Sequence, residues 1–170
     1  MLQNERMLKV DLAGTGGALV SRAAGEIAFT SVSIDSRTLE PGALFVAVRG
    51  ARFDGHDFLA EAAGRGARAA LVHRDAPAPA GLPLVRVADT TRGLSDLARR
   101  VRRAAGVPVV GVSGKNNKTT TKDMTAHLLS TRGPVLKTEG NLNNQYGLPL
   151  TLLRLAPEHT AAVVELGMSA

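Results

Sequence analysis

The chain has 170 residues, 44% of them hydrophobic and 21% charged, and a formal net charge of +6. That length holds one sizeable domain or two small ones, and the composition is globular, which excludes disordered and collagen-like classes. With no Cys, no Trp, four Phe and one Tyr, disulfides and thiolate metal sites are excluded. The core must be built from Val, Leu, Ile and Ala, which suits strands covered by helices.

The opening residues, MLQNERMLKVDLAG, carry charges where a signal peptide needs an apolar run. No stretch reaches the roughly 18 apolar residues of a membrane span. A soluble, cytoplasmic protein with no membrane partner is expected.

In chain order, MLKVDLAGTGGALV reads as a short helix closed by the glycines at 14, 16 and 17, and EIAFTSVSI as holding a strand around Val32 and Ile34. Pro41-Gly42 is a turn signal, followed by a short strand over 43–48. Asp35, Ser36 and Arg37 fall on a loop after the first strand and admit two readings. A guanidinium beside a hydroxyl suits a phosphate or carboxylate ligand, and Asp or Ser equally suits a local backbone cap. Asp54-Gly55 is a second turn, HDFLAEAAGRGA a short helix, and 69–73 a strand. His56, at that helix start, is either a ligand-facing donor or a partner of the local backbone.

APAPAGLP (76–83) reads as a loop stiffened by three prolines, 84–87 as a strand, and Asp89 or Thr90 as the cap of a helix running to about Ala105. In that helix Leu94, Leu97, Ala98, Val101 and Ala105 recur at helical spacing, leaving Arg99, Arg100, Arg102 and Arg103 on the other face. Without aromatic interleaving or a reading motif, these arginines are read as a solvated face, and no nucleic-acid partner is expected. Gly106 marks the boundary between two domains, 1–106 and 107–170.

The second begins VPVVGVSGKNNKTTTKDMTAHLL. An apolar strand, a polar turn and a helix opening Lys-Thr form the layout of a phosphate-binding loop. Backbone N–H groups of Gly114, Lys115, Asn116 and Asn117 and the helix start face the anion, Lys118 reaches the outer phosphates, and Thr119 can hold Mg²⁺. The helix is expected to run to about Thr131 and stop at Gly133-Pro134. A strand over 135–138 follows, then the loop EGNLNNQYG, a short helix LPLTLLRL, and a buried strand over 161–166 carrying Glu165. In a parallel sheet, ligands bind at the carboxyl ends of strands. Glu165 is therefore either a Mg²⁺ ligand or the ion-pair partner of a nearby Lys, and Asn141, Asn143 and Asn144 either line the same crevice or make ordinary turns.

Four stretches carry a family resemblance: SIDSRTLEPGALFVAVRGARFDGHDF, SGKNNKTTTKDM, TEGNLNNQYGLPLTLLRL and VVELG. Across nearly all of 30–167 the chain resembles the Mur ligases of peptidoglycan synthesis, most closely the D-alanyl-D-alanine-adding branch. The resemblance implies an α/β protein: a small N-terminal α/β domain for the UDP-substrate, then the first part of a P-loop parallel-sheet ATPase domain. The implied activity is ATP-dependent amide ligation, adding D-alanyl-D-alanine to UDP-N-acetylmuramoyl-tripeptide through an acyl phosphate. ATP and Mg²⁺ are implied, with Lys118 on the β- and γ-phosphates, Thr119 and Glu165 on Mg²⁺, and Gly114 and Thr120 shaping the loop. Asn141, Asn143, Asn144 and Thr138 would face the ATP and acyl-phosphate crevice. Ser36, Arg37, Gly50, Ala51, Arg52 and Phe53 would lie against the UDP group.

The alternatives are a non-catalytic UDP-sugar-peptide-binding module with a degenerate phosphate loop, or another Mur or folylpolyglutamate-type ligase, against which GNLNN argues.

Two departures from the family pattern generate predictions. The family loop normally reads Thr/Ser-Gly-Ser/Thr-x-Gly-Lys-Thr, whereas Lys115 and Asn117 stand here for a hydroxyl residue and the glycine. Asn is the least costly substitute for a glycine of positive φ, but its side chain crowds the phosphates. Asn117→Gly is expected to tighten nucleotide binding, and an unchanged dissociation constant by calorimetry would sink this. Second, family members continue well past residue 170, and a central sheet of about three strands leaves edges to be covered by a C-terminal region or a second copy. Residues 1–170 alone are expected not to complete ligation. Phosphate release dependent on both the tripeptide substrate and D-alanyl-D-alanine would refute this.

Overall fold

The computed structural model describes residues 27–167 and, towards the N-terminus, the backbone of two short strands. The elements run β1 Leu8–Val10, β2 Ala18–Leu19, β3 Ile27–Phe29, β4 Val32–Ser33, β5 Leu44–Val46, α1 Leu59–Gly64, β6 Ala69–Val72, β7 Leu84–Arg86 and α2 Thr90–Ala105. Then come β8 Val109–Val112, α3 Lys118–Leu129, β9 Val135–Lys137, α4 Gly147–Leu152 and β10 Ala161–Glu165. This is a mixed α/β fold. The chain divides into two compact units, Met1–Gly93 and Leu94–Ala170.

Of the stretch MLKVDLAGTGGALV, expected as a helix, the described residues are strands. Leu8–Val10 pairs antiparallel with β3, and Ala18–Leu19 pairs antiparallel with β7. Leu-Lys-Val alternates apolar and polar and ends on a β-branched residue, which fits a period of two. The glycines at 14, 16 and 17 lie outside the described residues.

In the first unit the sheet order is β2-β7-β6-β5-β4, with β4 to β7 mutually parallel. Parallel strands covered on both faces are apolar throughout, and β5 and β6 are buried at every residue. On one face Phe45, Ala47, Ala70 and Val72 pack with Leu59 and Ala62 of α1. The turn into β5 is closed by Ala43 N–H donating to Glu40 C=O at 3.2 Å, and Gly42 takes the positive φ (84°) that this Pro-Gly turn requires.

His56 is buried and braces the strand ends of this unit. Its Nδ1 lies 2.6 Å from Asp54 Oδ1, and its Nε2 accepts the His73 N–H at 3.1 Å, so the ring proton sits on Nδ1. Arg74 donates to the other Asp54 oxygen at 3.1 and 3.2 Å. Burial pushes the Asp54 carboxyl up, but the His56 backbone and ring and the Arg74 guanidinium outweigh it and hold the group well below the usual range. Of the two readings of His56, the backbone partner is the nearer, but the backbone group is the distant His73 N–H, and the local partner is the Asp54 side chain.

Helix α2 is capped by Asp89, whose Oδ1 accepts the Arg92 N–H at 2.7 Å. Leu94, Leu97, Ala98 and Val101 are buried, and Arg99, Arg102 and Arg103 are exposed, as the spacing predicts.

The second unit is a three-stranded parallel sheet of order β8-β10-β9. Central β10 is buried along its whole length, and Val163 packs with Val112 and Ala126. Helix α3 is α-helical to Leu129, after which a 3₁₀ turn, Ser130–Arg132, leads to Gly133.

The His56–His73 pair generates a pH prediction. The two rings lie 4.4 Å apart, edge to face. Burial, and next the His56 ring, push the His73 pKa below 6.5, against the pull of Asp54 and Asp89. The unfolded chain therefore takes up a proton on His73 before the folded one does, so stability is full above pH 6.5 and falls as pH drops towards the depressed folded value. His73→Gln is expected to flatten that acid-side decline in urea midpoint. Identical slopes in the two proteins would count against it.

Candidate active site

The phosphate-loop layout is formed as a strand, a turn and a helix. β8 ends at Val112, and Asn117, immediately before α3, adopts the left-handed conformation with φ 60° and ψ 14°. It is the one non-glycine residue with positive φ among the described residues. Asn tolerates this region better than other side chains, which explains how the loop closes without the family's glycine. The Asn117 side chain does not cap α3, so the first N–H groups of this 12-residue helix, at its positive end, have no side-chain cap. Lys118 folds over the turn, its Nζ donating to Gly114 C=O at 2.9 Å. Lys115, Asn116, Asn117, Thr119 and Thr120 are exposed.

Glu165 is 5% exposed at the carboxyl end of β10. Its Oε2 accepts from the Thr119 hydroxyl at 3.1 Å and its Oε1 from Asn143 Nδ2 at 2.9 Å. None of the ion pairs among the described residues includes it. A lysine partner for Glu165 is thus absent there, and its charge is met by two neutral donors. A buried carboxylate held in this way is a ready ligand for a cation.

The asparagine loop reaches this carboxylate through a tight fit. Gly167 N–H donates to Asn143 C=O at 2.7 Å, fixing Asn143 beside the end of β10. A Cβ on Gly147 would run into the Leu142 backbone, and one on Gly167 would lie 2.6 Å from the Asn143 oxygen. The three asparagines differ. Asn144 makes turn chemistry, its Oδ1 accepting the Tyr146 and Gly147 N–H groups at 3.0 and 2.8 Å ahead of α4. Asn143 reaches Glu165, and Asn141 is exposed. Thr138, fully buried, accepts the Glu165 N–H at 3.0 Å on its hydroxyl.

In the first unit a cavity of about 430 Å³ is lined by Ile34, Asp35, Ser36, Arg37, Phe45, Val48, Gly50, Phe53, Gly55 and Phe58. Ser36, Arg37 and Gly50 line it, whereas Ala51 and Arg52 do not. The Arg37 guanidinium is engaged by Asp35 at 2.9 and 2.7 Å, and Asp35 also accepts the Arg37 N–H. Ser36 donates to Glu61 at 3.0 Å. Local capping and the cavity wall therefore involve the same residues. Arg37 holds the Asp35 carboxyl below the usual range. Phe53, 71% exposed, offers an aromatic face at the rim.

Lys122 lies outside the residues that the sequence motifs single out. It is 3% exposed, and its Nζ donates to Thr138 C=O at 2.9 Å. The available signal was spacing: in KTTTKDMTA, Lys122 lies three residues after Thr119 and four before the buried Ala126.

Comparison with known proteins agrees with this layout. Residues 28–102 match the profile described as "Mur ligase family, catalytic domain", and residues 112–170 match "Mur ligase middle domain". The UDP-N-acetylmuramoyl-tripeptide–D-alanyl-D-alanine ligase of Escherichia coli is 48% identical over 142 residues, 84% of this chain and 31% of that protein. Its namesake in Bacillus subtilis is 44% identical over 140 residues, 82% of this chain and 31% of that protein. Among solved structures, MurF from Acinetobacter baumannii superposes with a TM-score of 0.84 at 38% identity, covering 92% of this chain and 34% of that one. MurF from Thermotoga maritima in complex with ADP gives 0.71 at 38% identity, covering 79% and 31%. The chain spans about a third of the length of the curated relatives it matches. On two matching domains and this identity, the chain belongs to the Mur ligase family.

Proposed function

We propose that the chain is the UDP-substrate-binding and phosphate-loop portion of an ATP-dependent amide ligase that adds D-alanyl-D-alanine to UDP-N-acetylmuramoyl-tripeptide. The observation that carries this reading is the meeting of Thr119 and Asn143 on the buried, cation-free Glu165 beside the Lys118 loop. In this reading 1–106 is the substrate domain and 107–170 the start of the ATPase domain, which acts in the cytoplasm. No helix among the described residues is long and apolar enough to cross a membrane.

The terminal carboxylate of the peptide takes the γ-phosphoryl group of ATP with release of ADP, and the amine of D-alanyl-D-alanine then attacks the acyl phosphate, displacing phosphate and losing a proton as the amide forms. Lys118, the N–H groups at the start of α3 and the turn formed by Gly114, Lys115, Asn116 and Asn117 bind the polyphosphate, with Thr120 completing the loop. Thr138, Asn141, Asn143 and Asn144 border the transfer crevice. The cavity holds the UDP end, with Ser36, Arg37 and Gly50 in its wall and Ala51 and Arg52 on the loop beside it.

Mg²⁺ would be held by the Thr119 hydroxyl and the Glu165 carboxylate. The donor set fits: hard oxygen ligands, one carboxylate lacking a cation, and no cluster of three or more His, Cys, Asp or Glu among the described residues that would favour another metal. When bound, the ion neutralises charge on the polyphosphate. A C-terminal region or a second copy covers the open sheet edge at β8, where Val110 and Gly111 are exposed.

Calorimetry on the 170-residue chain tests the reading with two ligands, UDP-N-acetylmuramoyl-tripeptide and MgATP. Both are expected to bind the native chain. Glu165→Gln is expected to weaken MgATP about 10- to 100-fold and leave the UDP ligand unchanged. Binding of the UDP ligand alone would instead identify a binding module with a degenerate phosphate loop.

A further inference from the structure

Lys122 is an expensive residue at its position. A lysine is almost never fully buried unless paired, yet this one is 3% exposed. Its one carboxylate partner among the described residues is the exposed Asp123, a long ion pair of 3.7 Å to a group that Lys137 holds more closely at 2.9 Å. An apolar side chain would fill the same helical position without burying a charge.

What the ammonium obtains is a directional bond to one carbonyl, that of Thr138 at the end of β9. Thr138 is itself a junction. Its N–H donates to Val163 C=O at 3.1 Å, and its hydroxyl accepts the Glu165 N–H at 3.0 Å. Three residues before Lys122 on the same helix, Thr119 donates to the Glu165 carboxylate. Helix α3 thus touches the end of β10 twice: directly through Thr119, and indirectly through Lys122 and Thr138. Together with the packing of Ala126 on Val163 further along the helix, these two polar attachments three residues apart set the rotation of its first turn against the strand end.

We propose that Lys122 is a positioning residue. By anchoring α3 to the Thr138 carbonyl, it holds the Thr119 hydroxyl and the Glu165 carboxylate in the mutual register that a divalent cation on the nucleotide requires. The cation part of this rests on the function proposed above, whereas the positioning part rests on the hydrogen bonds alone.

Two measurements on the full 170-residue chain separate these parts. In the first, amide hydrogen exchange is followed at Thr138 and Glu165, with Ala162 and Leu166, which donate to Pro108 and Val112, as internal controls. Lys122→Met is expected to speed exchange at Thr138 and Glu165 on the order of tenfold while the controls are unchanged. Lys122→Arg is expected to restore most of the protection, and Thr138→Val to reproduce the Glu165 effect with Lys122 intact. Uniform acceleration along β10, as a general loss of stability would give, overturns the positioning role, and so does no change at Glu165.

In the second, the ratio of ADP dissociation constants with EDTA and with Mg²⁺ is measured by calorimetry. Lys122→Met is expected to reduce that ratio about tenfold with the EDTA value nearly unchanged. A full ratio in the variant overturns the link from Lys122 to the cation. A native chain that shows no Mg²⁺ effect overturns the proposed function at this site, and the exchange result then decides the positioning role by itself.

Discussion

Burying the Glu165 carboxylate at the end of the central strand imposes a constraint that much of the second unit serves. An ionised group at that depth is unfavourable unless oriented donors replace the water it loses. Hydrogen bonds to a charged group contribute about 1.5–3 kcal/mol each, and Glu165 draws them from two separate elements, helix α3 and the asparagine loop. Each donor must therefore be held by its own neighbours. Asn143 is fixed by Gly167, and the strand backbone at Glu165 is fixed by the Thr138 hydroxyl. The result is a carboxylate whose surroundings are complete in hydrogen bonds but not in charge.

The first unit solves a comparable problem differently. There Asp54 is met by a cation, Arg74, as well as by the backbone and ring of His56, and its charge is satisfied within the protein. Such a carboxylate is a brace between strand ends. Comparing the two shows why tight hydrogen bonding alone does not mark a ligand site: Asp54 and Glu165 are both closely held, and only the second lacks a positive partner among the described residues.

From the first Pro-Gly turn onwards, the order of strands and helices was legible in the sequence, because each apolar run is short and bounded by Gly, Pro or a capping residue. The helix face of α2 was legible for the same reason, its arginines and leucines being separated by a period of 3.6. Near the N-terminus the signal failed: apolar positions scattered through a glycine-rich stretch suit either period, and pairing with β3 and β7 decides between them. At the site, residue types were readable but their partners were not. Nothing local distinguishes Asn143, which reaches Glu165, from Asn144, which caps the start of α4, since the difference arises from where β10 ends. Ser36 and Arg37 follow strand β4 as the sequence suggests, but in a 3₁₀ turn capped by Asp35, and their hydroxyl and guanidinium are engaged by Glu61 and Asp35. Lys122 is not legible in the sequence, because a lysine on a helix ordinarily faces solvent.

The contact between Gly147 and Leu142 reaches beyond packing. Helix α4 starts so close to the asparagine loop that hydrogen is the largest substituent position 147 accepts without backbone movement. Every alternative residue adds at least a methyl group, and overpacking of that kind typically costs about 1–3 kcal/mol. The seat of Asn143 against Glu165 therefore rests on a residue with no side chain of its own: any group added at position 147 would push the loop from behind and carry the amide away from the carboxylate it meets.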